Sequence, residues 1–194
     1  MNLLHVDSSA LGAYSVSREL SGAIVDVWKR AHPGSQVIHR DVAAQPLAHW
    51  TPVADASDPA VRVGAEVLEE FLAADVIVIG APMYNFSIPS TLKAWIDRVA
   101  VAGKTFRYGA NGPEGLAGGK RVILASSRGG FYGVQTPRAD FDFQEAYLRQ
   151  LFGFLGITDI EVVRAEGVAV GAEQKAHAIA SAHAAIRANQ RLAA

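Results

Sequence analysis

The chain has 194 residues, half of them hydrophobic and 19% charged, with a net charge of −1 and no cysteine. Such a composition is globular, neither disordered nor collagen-like. A chain of this length buries roughly 70% of its unfolded surface around one core, so a single domain over residues 1–194 is expected. The missing cysteines exclude disulfides, thiolate metal sites and cysteine nucleophiles, and no basic stripe speaks for nucleic acid or an acidic membrane surface.

Strand and helix signals then alternate along the chain. The sequence enters its first strand, Asn2 to Asp7, with no basic leader or cleavage pattern before it. No apolar run approaches the ~18 residues of a spanning helix. A soluble, cytoplasmic protein is expected. Val16 to Ala31 reads as a helix with Val16, Leu20, Ala23, Ile24 and Val27 on one stripe. Ser35 to Val42 is a second strand and Val61 to Ala73 a second helix, separated by a Pro-rich surface loop, Pro46 to Pro59. Asp75 to Gly80 is short, β-branched and without alternation, as a strand covered on both faces should be. Pro89 can sit in the first turn of the next helix, whose face carries Leu92, Trp95, Ile96 and Val99. Arg121 to Ser127, Asp140 to Leu155, Asp159 to Ala165 and Ala172 to Leu192 complete five strand–helix units. The expected fold is α/β: a doubly wound five-stranded parallel sheet of order 2-1-3-4-5 with helices on both faces.

Three loops leave the carboxyl ends of strands one, three and four, which this order makes neighbours. The first runs from Asp7 to Arg18 into a helix N-terminus, which offers free N–H groups and a partial positive charge to a phosphate. Ser9, Ser15 and Ser17 add hydroxyls, although Ser15 or Ser17 could as well be a plain helix cap. The loop has neither GxGxxG nor a P-loop lysine. Met83, Tyr84, Asn85, Phe86 and Ser87 form the second loop, which suits a flat, conjugated ligand with polar edges; a buried aromatic connection is the plainer reading. The third, Ser127-Arg128-Gly129-Gly130 followed by Phe131 and Tyr132, lets backbone approach a ring edge where a Cβ would intrude. By itself it is a glycine turn. The coincidence of all three at one sheet end favours ligand binding at the crevice where such folds bind ligands.

PMYNF-SIPS-LK-WID and the following AGKTFRY resemble the FMN-dependent NADH:azoreductase and NADH:quinone oxidoreductase family of the flavodoxin-like superfamily. The likeness runs from Met1 to about Gly171. It implies non-covalent FMN with its phosphate on Ser9 and on Ser15, Val16 and Ser17. It implies a ring held by Met83, Tyr84, Asn85 and Phe86 and by Ser127, Arg128, Gly129 and Gly130. It also implies NADH or NADPH as donor, quinones and aromatic azo compounds as acceptors, and a homodimer. The alternative is a flavodoxin-type carrier serving protein partners, which tends to be strongly acidic where this chain is near neutral. No certain catalytic side chain is expected beyond the flavin itself. Asn85, Phe86 and Tyr132 line the pocket, whose loops hold no His, Asp, Glu or Lys. Hydride transfer through flavin N5 by a ping-pong scheme follows, because donor and acceptor share one open ring face. The connection Ala43 to Asp58 looks shorter than the family's, and Phe131 to Gln144 is individual; both bear on substrate choice.

The remaining polar residues read plainly. His5 is expected in the core, and His177 and His183 at packing or interface positions. No metal site is expected, since no His, Asp or Glu pair has metal-ligand spacing along the sequence. Asp7 invites comparison with a phospho-acceptor receiver, but strand three ends in Gly80-Ala81-Pro82 where a receiver needs aspartate.

Overall fold

A computed structural model describes residues 1–52 and 57–192. In chain order its strands are β1 (Asn2–Asp7), β2 (Gln36–Asp41), β3 (Val76–Pro82), β4 (Phe106–Gly109), β5 (Gly112–Gly115), β6 (Arg121–Ser127) and β7 (Asp159–Ala165). The helices are α1 (Val16–Ala31), α2 (Pro59–Ala73), α3 (Ser90–Val99), α4 (Phe143–Phe154) and α5 (Ala172–Ala188). Five strands pair in parallel in the order β2-β1-β3-β6-β7. This is the doubly wound order expected from the sequence.

The lack of alternation in β3 has its reason in the two cores. Ile77 and Ile79 pack with Phe71, Trp95 and Phe152 of α2, α3 and α4 on one face. Val76 and Val78 pack with Leu20, Ile24 and Trp28 of α1 and Ala182 and Ile186 of α5 on the other. Each buried Leu, Ile or Phe contributes about 1.5–3 kcal/mol, so both layers are held firmly and the sheet's carboxyl edge is a rigid platform.

Helix ends differ from expectation where caps decide them. α2 begins at Pro59, two residues early, because Asp58 accepts a hydrogen bond from the Ala60 N–H at 2.7 Å. α4 begins at Phe143 rather than Asp140: a 3₁₀ turn over Ala139–Phe141 comes first, and Asp142 caps the helix through the Glu145 N–H. Pro89 stands one place outside α3, at its N-cap. α5 ends at Ala188, and Gln190–Leu192 form a separate 3₁₀ turn. The antiparallel hairpin β4–β5 was not expected; its residues are mostly exposed, so no apolar alternation marks them. Of the Pro46 to Pro59 loop and the Ala43 to Asp58 connection, residues 53–56 lie outside the described residues. Among the described residues no helix is long and apolar enough to cross a membrane.

Candidate functional site

Register fixes the platform. Asp7 lies opposite Gly80, Gly80 opposite Ala125, and Pro82 opposite Ser127, so β1, β3 and β6 release their loops side by side. Gly80 is required there. A Cβ on it would fall 2.5 Å from Asp7 Oδ1 and 3.1 Å from Ser21 Oγ, far inside contact distance.

The serines of the first loop are buried and heavily tied, while Ala10 to Tyr14 between them are exposed. Ser8 Oγ donates to the Gly80 carbonyl at 2.6 Å, and the Tyr84 hydroxyl meets Ser9 Oγ and accepts from the Ala10 N–H, both at 3.2 Å. Ser15 caps α1 by accepting from the Arg18 N–H at 3.3 Å, and its hydroxyl lies 3.1 Å from that of Ser17. Ser9, Ser15 and Ser17 are all buried. The N–H groups of Val16 and Ser17, first-turn donors that a helix cannot satisfy internally, have no hydrogen-bond partner among the described residues. A cleft of about 690 Å³ opens against this loop, bounded by Asp7, Ser9, Gly12, Ser15, Arg18 and Asp41.

Sequence reasoning missed what clamps the loop. The Arg18 guanidinium donates to the Ser9 carbonyl at 2.8 Å and forms a two-pronged pair with Asp41 at 2.5 and 2.7 Å. The hydrogen bond from Arg18 is the main reason that the Asp41 carboxyl falls to about 2; burial, the next influence, opposes it, and the Ala44 and Ala43 N–H groups and the charge of Arg18 add to the lowering. Asp7 is also held below the usual carboxylate range: burial, the largest influence, pushes it up, and hydrogen bonds with His5, Ser21 and His39 outweigh it. No spacing along the chain links Arg18 to Asp41; the β1–β2 pairing that sets Asp41 beside Asp7, with α1 following β1, brings them together.

The tyrosine loop is a tight turn under strain. Tyr84 and Ser87 exchange backbone hydrogen bonds at 2.9 and 3.0 Å across a tip of Asn85 and Phe86, with φ of 48° and 70°. Two consecutive left-handed residues make the primed turn that asparagine and glycine favour. Asn85 tolerates this backbone, whereas a bulky residue such as Phe86 does so at a cost. The Asn85 side chain and the N–H groups of Asn85 and Phe86 carry no hydrogen bond among the described residues. The Phe86 ring is 43% exposed and touches Tyr132 and Phe141, with centroids 6.0 and 5.2 Å apart.

The glycine loop is stitched to this turn by the Met83 N–H, which donates to the Ser127 carbonyl at 2.8 Å. The Arg128, Gly129 and Gly130 carbonyls accept from Val168, Ala169 and Gly167, leaving the Gly129 and Gly130 N–H groups without partners among the described residues. The Arg128 side chain is taken up by carboxylates. Its guanidinium is fully buried and paired with Glu145 at 2.5 Å, Asp142 at 2.8 Å and Glu166 at 3.2 Å. Glu166 also accepts from the Tyr132 N–H at 2.9 Å, so it fixes the loop that Tyr132 belongs to. Of the site residues expected from the sequence, the fold thus brings Ser9, Ser15, Val16 and Ser17 together at α1. It stitches Met83 to Phe86 beside Ser127 to Gly130, and Tyr84 links the two groups.

The other polar residues fall elsewhere. His5 is buried, as expected, but β1 and β2 also bring it within reach of Asp7 and His39, although no spacing along the chain suggested a cluster. His183 pairs with Glu19 of α1 at 2.8 Å, and His177 is exposed on α5.

A family model described as the flavodoxin-like fold matches residues 1–189. The FMN-dependent NADH:quinone oxidoreductase of Xanthomonas oryzae pv. oryzae (strain KACC10331 / KXO85) is 62% identical over 192 residues, covering 98% of this chain and 97% of its own. FMN-dependent NADH:quinone oxidoreductase 2 of Bradyrhizobium diazoefficiens is 55% identical over 94% of this chain and 95% of its own. The crystal structure of an azoreductase from Bacillus anthracis str. Sterne superposes with a TM-score of 0.87 at 30% identity, covering 96% of each chain. An FMN-dependent NADH-azoreductase from Bacillus anthracis str. Ames Ancestor, in complex with FMN, gives a TM-score of 0.86 at 25% identity over 100% of each. The chain belongs to the flavodoxin-like family that contains the FMN-dependent NADH:quinone oxidoreductases.

Proposed function

We propose that this chain is an FMN-dependent reductase that takes two electrons from NADH or NADPH and delivers them to quinones and aromatic azo compounds. One observation carries the reading. At neighbouring strand ends, backbone donors without partners among the described residues stand in two groups: Val16 and Ser17 among buried serine hydroxyls, then Asn85, Phe86, Gly129 and Gly130 around an aromatic-lined opening. That set fits a phosphate at one end and the hydrogen-bonding edge of a flat ring at the other.

Bound FMN supplies the redox chemistry, two-electron transfer between donor and acceptor. The chain's own residues supply position. The Val16 and Ser17 N–H groups and the Ser9, Ser15 and Ser17 hydroxyls would hold the phosphate without a free cation, because the helix terminus provides the positive field. Met83 to Phe86 and Ser127 to Gly130 would hold the ring. Gly129 and Gly130 offer preorganised N–H donors, which favour charge developing on a ring edge. Arg128 acts indirectly, by anchoring that segment in its carboxylate cage. Asn85, Phe86 and Tyr132 line the opening. Donor and acceptor are both flat and use that opening in turn, so the scheme is double displacement.

The same proposal makes the chain one domain that works as a homodimer in the cytoplasm, with no nucleic-acid partner. Tyr14, Phe86, Phe131, Phe141 and Phe143 are all exposed around the site. Apolar surface of this kind usually marks a contact, and two-fold pairing is the commonest answer. Initial rates with NADH and a quinone test the function. Parallel double-reciprocal lines are expected; absent quinone turnover, or intersecting lines, contradict the reading or its single-opening scheme.

A further inference from the structure

We propose that His5, Asp7 and His39 form a binding site for one divalent transition-metal ion that clips the edge strand β2 to β1. The site is a consequence of strand geometry. His5 and Asp7 are two residues apart and so share a face of β1, and His39 lies directly opposite His5 in the β1–β2 register. Their imidazole nitrogens and carboxylate oxygen all lie within 4.8 Å of one another. Both Nε2 atoms converge on the same oxygen, Asp7 Oδ2, at 3.4 Å from His5 and 3.0 Å from His39. Ligand atoms of a tetrahedral ion with bonds of about 2.0–2.1 Å stand roughly 3.3 Å apart, so those separations bracket what such an ion needs.

The surroundings suit an ion with one open position. Ser21 Oγ donates to the other oxygen, Asp7 Oδ1, at 2.8 Å, and lies 2.9 Å from His5 Nε2, so it orients both groups, and an ion would displace the His5 Nε2 proton from its hydrogen bond to this hydroxyl. The His39 side chain is half exposed, which leaves room for a water as fourth ligand and lets the ring tilt out of its stack on His5. Arg18 Nη1, 3.7 Å from Asp7 Oδ2, is the unfavourable neighbour, but its charge is already committed to Asp41. Two imidazoles and one carboxylate select zinc, nickel or copper over magnesium or calcium, which prefer oxygen ligands. Copper binds tightest among the divalent first-row metals.

The test is a titration of tag-free, FMN-loaded protein with Cu²⁺ and with Zn²⁺, read by a competing metal indicator and, for copper, by electron paramagnetic resonance. One ion per chain is expected, with coupling to two imidazole nitrogens and a raised melting temperature. His39→Gln should weaken binding at least about tenfold, since outer-shell losses alone cost that much, and should leave coupling to one nitrogen. His177→Gln, on the exposed face of α5, should change neither. The flavin absorbance, followed throughout, reports separately on the FMN site. No binding above that of His39→Gln, or equal loss in His177→Gln, overturns the site.

Discussion

The serine loop and the tyrosine turn lie at adjacent strand ends, yet they are built on opposite plans. In the first, Ser9, Ser15 and Ser17 are buried, and Arg18, Asp41 and Tyr84 tie the backbone from three sides. In the second, Asn85 and Phe86 stand exposed at the tip of a left-handed turn whose backbone Phe86 adopts at a cost. The difference separates two tasks. A charged end group needs donors already aimed and unable to move, whereas a face that admits different flat molecules needs aromatic surface that is not fully committed to the core. On the proposed function, the first region would set affinity for the cofactor and the second what can stack against it.

The largest break in that division should come from Ser17→Glu, which places a carboxylate where the phosphate is proposed to lie. Opposed like charges cost several kcal/mol, so FMN affinity should fall by about 10²–10³-fold, measured by fluorescence titration of the apoprotein. Unchanged affinity would move the phosphate elsewhere. Asp41→Asn should cost less, about 1.5–3 kcal/mol for a hydrogen bond between charged groups, read from the urea midpoint. The Asp41 carboxyl sits at about 2 in the fold against 3.8 unperturbed. Its folded-state value is depressed, so its stabilisation is complete above about pH 4 and is lost as pH falls from 3.8 toward 2. The asparagine variant should lose that part of the slope; an identical acid profile would show that the clamp contributes nothing.

The turn should respond differently. Phe86→Gly removes a half-exposed ring and also relieves a left-handed backbone worth about 1–3 kcal/mol. Net stability should change by less than about 1.5 kcal/mol, where a buried phenylalanine would cost about 3–5, while KM for the acceptor rises. A large loss of stability would show that the turn is not strained. The smallest effect belongs to Tyr132→Phe. Without an essential general acid among these loops, its kcat should fall well short of the ~10²-fold drop typical of losing one.

How much of this could be read from the sequence follows the same divide. Strand order and the two-faced core were legible because β3 is apolar throughout and α1 and α3 carry clear stripes. The serine, tyrosine and glycine loops were legible because each follows a strand that the pattern already located. What was not legible depends on contacts across the sheet. The His5–Asp7–His39 cluster is made by strand pairing, and the Arg18–Asp41 clamp and the Arg128 cage by helices α1 and α4 packing over strand ends; none is marked by spacing along the chain. The strain at Phe86 was hidden for a different reason: Asn-Phe is not a turn pair that propensity announces, as Asn-Gly is. The hairpin β4–β5 does contain Asn111-Gly112, but exposed flanks gave no period to support it.

On the proposed function these loops hold FMN for turnover with small acceptors. The most direct test is the visible absorption spectrum of the purified protein, followed anaerobically through addition of NADH and then of a quinone. About one FMN per chain is expected, identified after heat release, bleached by NADH and restored by the quinone without any protein partner. FAD in place of FMN, an apoprotein that takes up no flavin, or a bleached flavin that the quinone fails to restore would contradict it.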